Sequence, residues 1–370
     1  MSAEPAEAFL RVRGLSKRLG QTQAIAGVDL DAGADELVVV LGPTGAGKST
    51  LLRLIAGLEQ PDGGSVTIDG LEVTGREPAA RDVALVFQNF SLYPRWTVRR
   101  NLAFPLGAPG RNLPGDEIRR RIDWAADLLK ITPLLDREAS RLSGGEMQRV
   151  AVGRAIVRRP RLLLMDEPLT NLDAKLREAL RVELVELRRE LKAAMIFVTH
   201  DQAEALSMAD RIVVLSKGRI LQTGKPREIY ERPASAIVAR QLGQPAINLL
   251  RVRRDDRRWV ASDGTPLMPA DGTGAAERLL GIRPEDLSID AGSAAAAAGA
   301  GPGPAVVRVV EYTGPTTTLL CDWAGAAVHI LIPRRGAFRP GDRIHPRVNP
   351  ARAVLFDADP DHQETPHDPA

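Results

Sequence analysis

The 370-residue chain has a single cysteine, Cys321, so no internal disulfide framework is open to it and a reducing setting fits. Aromatic residues make up only 4% of it, so any cluster of them stands out. Charge of one sign is also scarce. Fifty Lys and Arg face 47 Asp and Glu, for a net charge of +3, and the arginines are spread along the chain, which is a weak basis for a nucleic-acid partner. No apolar run approaches the roughly 20 residues that cross a bilayer. The start, Met1-Ser2-Ala3-Glu4-Pro5, lacks a basic stretch followed by an apolar core, so no secretory signal is expected. A chain of this kind that served a membrane would act through a partner. Its length allows two or three domains with sizeable cores.

The most informative stretch is Gly42-Pro43-Thr44-Gly45-Ala46-Gly47-Lys48-Ser49, which has the phosphate-loop form G-x-x-x-x-G-K-[ST]. Its setting suits that role. Leu37–Leu41 reads as a buried strand, and Thr50–Ala56 reads as a helix with Gly57 placed to stop it. Glycines let the backbone curl so that N–H groups converge on phosphate oxygens, and the helix start adds partial positive charge there. Lys48 is expected to reach the β- and γ-phosphates, and the Ser49 hydroxyl to ligate Mg²⁺.

Between about Phe9 and Tyr230 apolar strand-like runs alternate with helical ones. They include Val83–Phe87, Leu162–Met165, Met195–Val198 and Ile212–Leu215. Continuous apolar strands separated by helices predict an α/β fold with a mostly parallel sheet buried on both faces. Within it, Leu113–Leu135 has helical spacing and charged faces, and reads as an inserted helical subdomain. After about Gln241 the pattern changes to short β-rich runs: Leu249–Arg253, Arg258–Ala261, Ala305–Val310, Thr317–Asp322, Val328–Ile332 and Ala353–Phe356. This is the pattern of a small all-β barrel. Ala291–Pro304 is an Ala/Gly/Pro low-complexity stretch expected to be a disordered loop, and the tail from Asp359 is expected to be unstructured.

A second constellation carries chemistry. The strand Arg161–Met165 ends in Asp166 and Glu167, and a strand buried on both faces must place such charges at its exposed end, facing the phosphate loop. Asp166 would hold the Mg²⁺ shell and Glu167 would polarise an attacking water as general base. Leu142-Ser143-Gly144-Gly145-Glu146 precedes a helix and offers a second backbone nest for phosphate. Thr170-Asn171-Leu172-Asp173 follows the carboxylates, His200 ends the strand Met195–Thr199, and Gln88 ends Val83–Phe87. Taken singly, His200 and Gln88 are uninformative.

Taken together and in this order, these residues resemble the ATP-binding subunits of ABC transporters, over roughly Leu10 to Arg232. The resemblance makes Gly42–Ser49 the phosphate loop, Gln88 the Q-loop glutamine, Leu142–Glu146 the signature, Asp166 and Glu167 the Walker B pair, Thr170–Asp173 the D-loop and His200 the switch histidine. It implies ATP and Mg²⁺ as cofactors. Gly42 to Thr50 with Gln88, Ser143, Gly144, Gly145 and Asp173 would bind the nucleotide. Ser49, Gln88 and Asp166 would face the metal, and Glu167, His200 and Lys48 would be catalytic. It further implies a head-to-tail homodimer with two ATP molecules between subunits, Ser143 and Gly145 of one facing Lys48 of the other. The partners implied are two integral-membrane permease subunits and, indirectly, a solute-binding protein, with the chain peripheral on the cytoplasmic face of the inner membrane.

The β-rich tail is similar to the transport-associated oligonucleotide-binding-like domain of maltose-type carbohydrate importers, through Leu280–Asp286 and Val354–Asp357, with Gln244–Leu250 leading into it. It lacks the alternating aromatic and basic residues of a stacking groove, so no nucleic acid is expected. The expected division is residues 1–240 for the ATP-binding domain, with 89–160 including the helical subdomain, 241–358 for the β-rich domain and 359–370 for a disordered tail. The resemblance implies uptake of carbohydrate or a glycerol-phosphate-like solute, with polyamine, iron or sulfate as alternatives. A translation or repair ATPase would need a second module or sustained heptads, which the chain lacks. A non-catalytic switch would have no use for both Glu167 and His200. Two departures from the family pattern matter. Leu19 stands where an aromatic usually stacks on adenine, and Glu146 stands where Gln is usual, adding an acid near polyphosphate. In Asn89–Trp96 three aromatics fall within eight residues. Phe90 and Tyr93 are expected to pack inside the helical subdomain, and Trp96 to be an exposed anchor for the permease.

Overall fold

The computed structural model describes residues 8–108, 113–270, 276–289, 303–333 and 336–357. Most of the low-complexity stretch, the first residues and the tail fall outside these. The chain separates into two compact units, Met1–Arg227 and Glu228–Ala370.

The first unit runs β1 (Leu10–Leu19), β2 (Thr22–Ala32), β3 (Leu37–Leu41), α1 (Lys48–Ala56), β4 (Gly63–Ile68), β5 (Leu71–Glu72), β6 (Val83–Val86), α2 (Val98–Ala103), α3 (Gly115–Leu128), α4 (Gly144–Ile156), β7 (Leu162–Asp166), α5 (Ala174–Leu191), β8 (Ala194–Thr199), α6 (Gln202–Met208), β9 (Arg211–Ser216) and β10 (Arg219–Gly224). A six-stranded sheet has the order β10-β9-β3-β8-β7-β6, parallel throughout except for the antiparallel edge strand β10. Every residue of β3, β7 and β8 is buried, as two-sided burial requires. A second, antiparallel sheet, β2-β1-β4-β5, has no counterpart in the expected alternation. Leu51, Leu52, Leu54 and Ile55 of α1 share one core with Val38 and Val40 of β3 and with Val12, Leu30 and Val66 of the antiparallel sheet. The helix behind the phosphate loop is thereby wedged between two sheets. Gly57, in the left-handed conformation, ends α1 by donating to Arg53 and Leu54. The buried Arg81 guanidinium also binds the carbonyls of Leu54 and Ile55 at 2.9 and 3.0 Å.

α7 (Pro226–Glu231), which begins just before the second unit, and α8 (Ala236–Arg240) lead, among the described residues, into eleven strands. These are β11 (Asn248–Asp255), β12 (Arg258–Ala261), β13 (Pro266–Pro269), β14 (Glu277–Ile282), β15 (Leu287–Ile289), β16 (Ala305–Tyr312), β17 (Thr316–Trp323), β18 (Ala326–Pro333), β19 (Arg343–Ile344), β20 (Pro346–Val348) and β21 (Val354–Asp357). They form antiparallel sheets β13-β12-β11-β14-β21, β15-β20 and β18-β17-β16-β19 around one core that includes Leu250, Trp259, Leu280, Leu319, Val328 and Ile330. This unit begins earlier than the expected boundary at 240. Ala236 and Ala239 of α8 pack with Ile247 and Phe356. The buried Arg283, from the stretch singled out in the sequence, donates to the carbonyls of Ala239, Leu242 and Tyr230 at the ends of these helices. A cation there complements the negative helix ends, and residues 228–240 are thereby tied to the β unit.

Candidate functional site

β3 delivers the chain into the phosphate loop, and the loop's shape depends on a missing side chain. Gly47 has φ of 105°, and a Cβ there would lie 2.4 Å from the carbonyl oxygen of Ala24. Gly47 is also the N-cap of α1 and supplies no side chain to its first turn. The first N–H groups of the helix are thus left for a ligand.

Around this turn the predicted chemistry converges. Lys48, only 5% exposed, donates to the carbonyls of Gly42 at 2.9 Å and Pro43 at 3.1 Å. Its ammonium also lies 3.1 Å from Glu167 Oε1. Ser49 Oγ donates to Asp166 Oδ1 at 2.7 Å. His200 Nδ1 lies 2.9 Å from Glu167 Oε2, and Thr170 Oγ1 donates to the same oxygen at 3.3 Å. Glu167 has φ of 43°, a left-handed backbone in a non-glycine residue, anchored by its N–H on Val198. Burial pushes the Asp166 carboxyl up, only partly offset by the Ser49 hydroxyl. Burial also pulls Glu167 upward, but Lys48 and then His200 outweigh it and hold the carboxyl below the usual range. Asp166 and Ser49 are hard oxygen donors meeting at one point, the donor set that Mg²⁺ takes.

The signature turn is built differently. Ser143 is the N-cap of α4 in a reciprocal capping box with Glu146. The Ser143 N–H donates to Glu146 Oε2 at 2.8 Å, and its hydroxyl to the same oxygen at 3.0 Å. The acid in place of the usual Gln is therefore engaged in its own turn. The Ser143 N–H, aided by the nearby Arg137, holds its carboxyl below the usual range. This Ser-x-x-Glu spacing is a helix-start signal already present in the local sequence. Gly145 is packed so that a Cβ would meet Leu176 Cδ2 of α5 at 2.5 Å. The turn thus rests on α5 and the preceding D-loop. Asp173, expected at the nucleotide, caps α5 by accepting from the Leu176 N–H at 2.9 Å. Gln88 is exposed, and its carbonyl accepts from Asn171 Nδ2 at 3.2 Å, joining the Q-loop to the D-loop.

Beyond Gln88 the aromatics group at the surface. Tyr93 stacks on Trp96 with centroids 4.2 Å apart, Phe104 lies edge-on to Tyr93 at 5.0 Å, and Arg100 sits 4.0 Å over Trp96. Tyr93 is 37% and Phe104 51% exposed, whereas Trp96 is half-buried. This corrects the expectation for Tyr93. The buried Asn101 side chain takes up the Tyr93 N–H and the carbonyls of Tyr93 and Thr97, which turns the ring outward. Leu19, at the end of β1, is 45% exposed.

A helix start without a side-chain cap, set against a lysine, a hydroxyl and two carboxylates, is an arrangement for binding and cleaving a nucleoside triphosphate, and defines the class of P-loop ATPases. Residues 25–170 match the family model described as ABC transporter, and 280–356 that described as TOBE domain. The sn-glycerol-3-phosphate import ATP-binding protein UgpC 3 of Agrobacterium fabrum is 44% identical over 344 residues, 92% of this chain and 95% of its own length. The sulfoquinovosyl glycerol transport ATP-binding protein SmoE of the same organism is 42% identical over 358 residues, 95% and 98%. Among solved structures, the dimeric post-hydrolysis ATP-binding cassette MJ0796 bound to ADP and Pi aligns with a TM-score of 0.53 and 30% identity, over 59% of this chain and 99% of that one. The chain belongs to the ATP-binding subunits of ABC importers that carry a C-terminal TOBE domain. It is an ATPase that hydrolyses ATP for import, and such a subunit works with permease partners. Among the described residues no helix is long and apolar enough to cross a membrane.

Proposed function

We infer that the chain works as a head-to-tail homodimer closing on two MgATP, peripheral on the cytoplasmic face of the inner membrane beneath two permease subunits fed by a solute-binding protein. The observation that carries this reading is the convergence of Lys48, Glu167 and His200 beside the Ser49–Asp166 pair. Ser49 and Asp166, with Gln88, would hold Mg²⁺, which supplies charge neutralisation at the phosphate oxygens.

The chain's own residues do the rest. Lys48 spends its donors on two loop carbonyls and Glu167, and phosphate oxygens compete for that ammonium. As Lys48 turns to phosphate, the strongest influence holding the Glu167 carboxyl down is weakened, and burial raises it. Glu167 then becomes a better base for the attacking water, while His200 and Thr170 fix its carboxylate. Ser143 and Gly145 of the second subunit complete the site. ATP is thereby part of the dimer contact, and its hydrolysis weakens closure. In Glu167→Gln, light scattering should find a dimer with MgATP and a monomer after chelation. A monomer under both conditions would remove the dimer from this account.

For the cargo, the names of the relatives UgpC 3 and SmoE both carry a glycerol moiety together with an acidic group. We propose a solute of that type, a glycerol-phosphate-like or related carbohydrate compound. ATPase activity of the reconstituted complex, with its binding protein, should rise with such solutes. A rise with polyamine, iron or sulfate alone would assign the complex to another cargo.

A further inference from the structure

Two consecutive residues just past the Q-loop glutamine, Phe90 and Ser91, have φ of 61° and 50°. L-residues avoid this left-handed region, and a pair of them holds only when the surroundings impose it. Within the segment, the Phe90 N–H donates to Phe87 and the Ser91 N–H to Asn89, and from outside it the pair is held by Arg154. Its Nη1 donates to the Ser91 carbonyl at 2.6 Å and its Nη2 to the Phe90 carbonyl at 3.0 Å. The guanidinium fork thus grips the two strained peptides with two nitrogens fixed in one plane, a geometry that a lysine's rotating ammonium does not fix. Downstream, Asn101 clamps the carbonyls of Tyr93 and Thr97. The segment that presents the aromatic surface is therefore held at both ends.

Arg154 lies in the last turn of α4, the helix whose first residues follow the Ser143 N-cap. A helix of 13 residues is a stiff rod about 20 Å long. Its start is seated on Leu172 and Leu176 through Gly144 and Gly145. Its end grips Phe90 and Ser91. We propose that Arg154 is a positioning residue, a latch by which movement of the signature turn toward nucleotide is carried along α4 to the aromatic surface at residues 89–97. The strained Phe90–Ser91 pair is the two-state element: held left-handed by the fork, it relaxes when α4 moves relative to it, and Tyr93 and Trp96 shift with it. This rests on the ATP-closed dimer proposed above. The hydrogen bonds of Arg154 go to Phe90 and Ser91, not to Asp166 or Glu167.

The test uses the full chain in the Glu167→Gln background, with hydrogen exchange of amides 89–97 followed with and without MgATP, and ATP binding measured in parallel. Exchange rates in 89–97 should change on adding MgATP by about fivefold or more, the lower end of ordinary coupling between two sites. Adding Arg154→Lys, which keeps the charge and loses the fork, should shrink that change to less than about twofold while ATP affinity stays the same. A residue that only supported the fold would instead loosen exchange throughout α4, with or without nucleotide. Arg154→Gln serves the same purpose should the lysine variant fold poorly. An undiminished MgATP response in either variant, with ATP bound, overturns the latch alone. Failure of Glu167→Gln to bind ATP would overturn the proposed function and the latch with it.

Discussion

Two helix starts in this chain are candidates for phosphate, and they are built in opposite ways. The start of α1 has Gly47 as its N-cap and no side chain to occupy its first N–H groups. The start of α4 has Ser143 and Glu146 satisfying each other in a capping box. An uncapped helix start is a ready anion site, whereas a capped one is complete without a ligand. The first turn also carries its chemistry with it, since Lys48 meets Glu167, which meets His200, and Ser49 meets Asp166 beside them. The contacts found for the second turn are to Glu146, to the D-loop and to α5. On the function proposed above, the difference means that binding and the reacting groups belong to the first turn, and that the second turn contributes when it is carried to a site on the other subunit.

Glycine substitutions should break this comparison most strongly. Gly47→Ala puts a Cβ against the fixed carbonyl of Ala24 in a conformation only glycine adopts freely. Strain of about 1–3 kcal/mol, plus the clash, should lower ATP affinity a hundredfold or so, as titration with a fluorescent ATP analogue would register. Gly145→Ala meets only the flexible end of Leu176. Overpacking of about 1–3 kcal/mol should slow hydrolysis while leaving ATP binding to the isolated chain unchanged. Equal loss of binding in the two would erase the distinction between the turns.

Introducing an aromatic at the exposed Leu19 should tighten ATP binding by about 1–2 kcal/mol if that side chain faces adenine. Unchanged affinity in Leu19→Tyr would mean that another residue covers the ring. Trp96→Ala should cost about 1–3 kcal/mol in a permease pull-down titration while ATPase activity of the isolated subunit stays within about twofold. A fall in isolated activity or an unfolded chain would make Trp96 a core residue. The smallest effect concerns the capping box. Glu146→Ala should cost about 0.3–1.5 kcal/mol in thermal unfolding. The Glu146 carboxyl lies lower folded than unfolded, so its contribution is present above the unfolded carboxylate pKa and is lost as pH falls through the folded one. The difference between wild type and variant should therefore narrow in acid; a difference that widened there would reject the cap.

The first turn was almost wholly legible in the sequence because its parts are local. A buried strand, a glycine-rich loop with Lys48 and Ser49, and Gly57 to end the helix all stand within about twenty residues. The strand ending in Asp166 and Glu167 was legible for a related reason, since charges cannot sit inside a strand buried on both faces. What is not legible in the sequence depends on residues distant along it. Arg81 capping the end of α1 and Arg283 tying α7 and α8 to the β unit look like surface arginines until the fold buries them, and the grip of the half-buried Arg154 on Phe90 and Ser91 exists only once α4 packs beside them. Burial is the sequence expectation for Tyr93 because aromatic side chains bury readily, whereas in the fold Asn101 binds the Tyr93 backbone and the ring lies 37% exposed. The antiparallel sheet was missed because β1 and β2 mix buried and exposed residues around several register shifts.

The central claim is that Glu167 removes the proton while Lys48 and the first turn of α1 do the binding. Steady-state hydrolysis by Glu167→Gln, measured beside equilibrium ATP binding, tests it most directly. Turnover should fall by about a hundredfold or more, the scale of a lost general base, with ATP affinity kept. A variant that hydrolyses ATP at the wild-type rate would contradict the account.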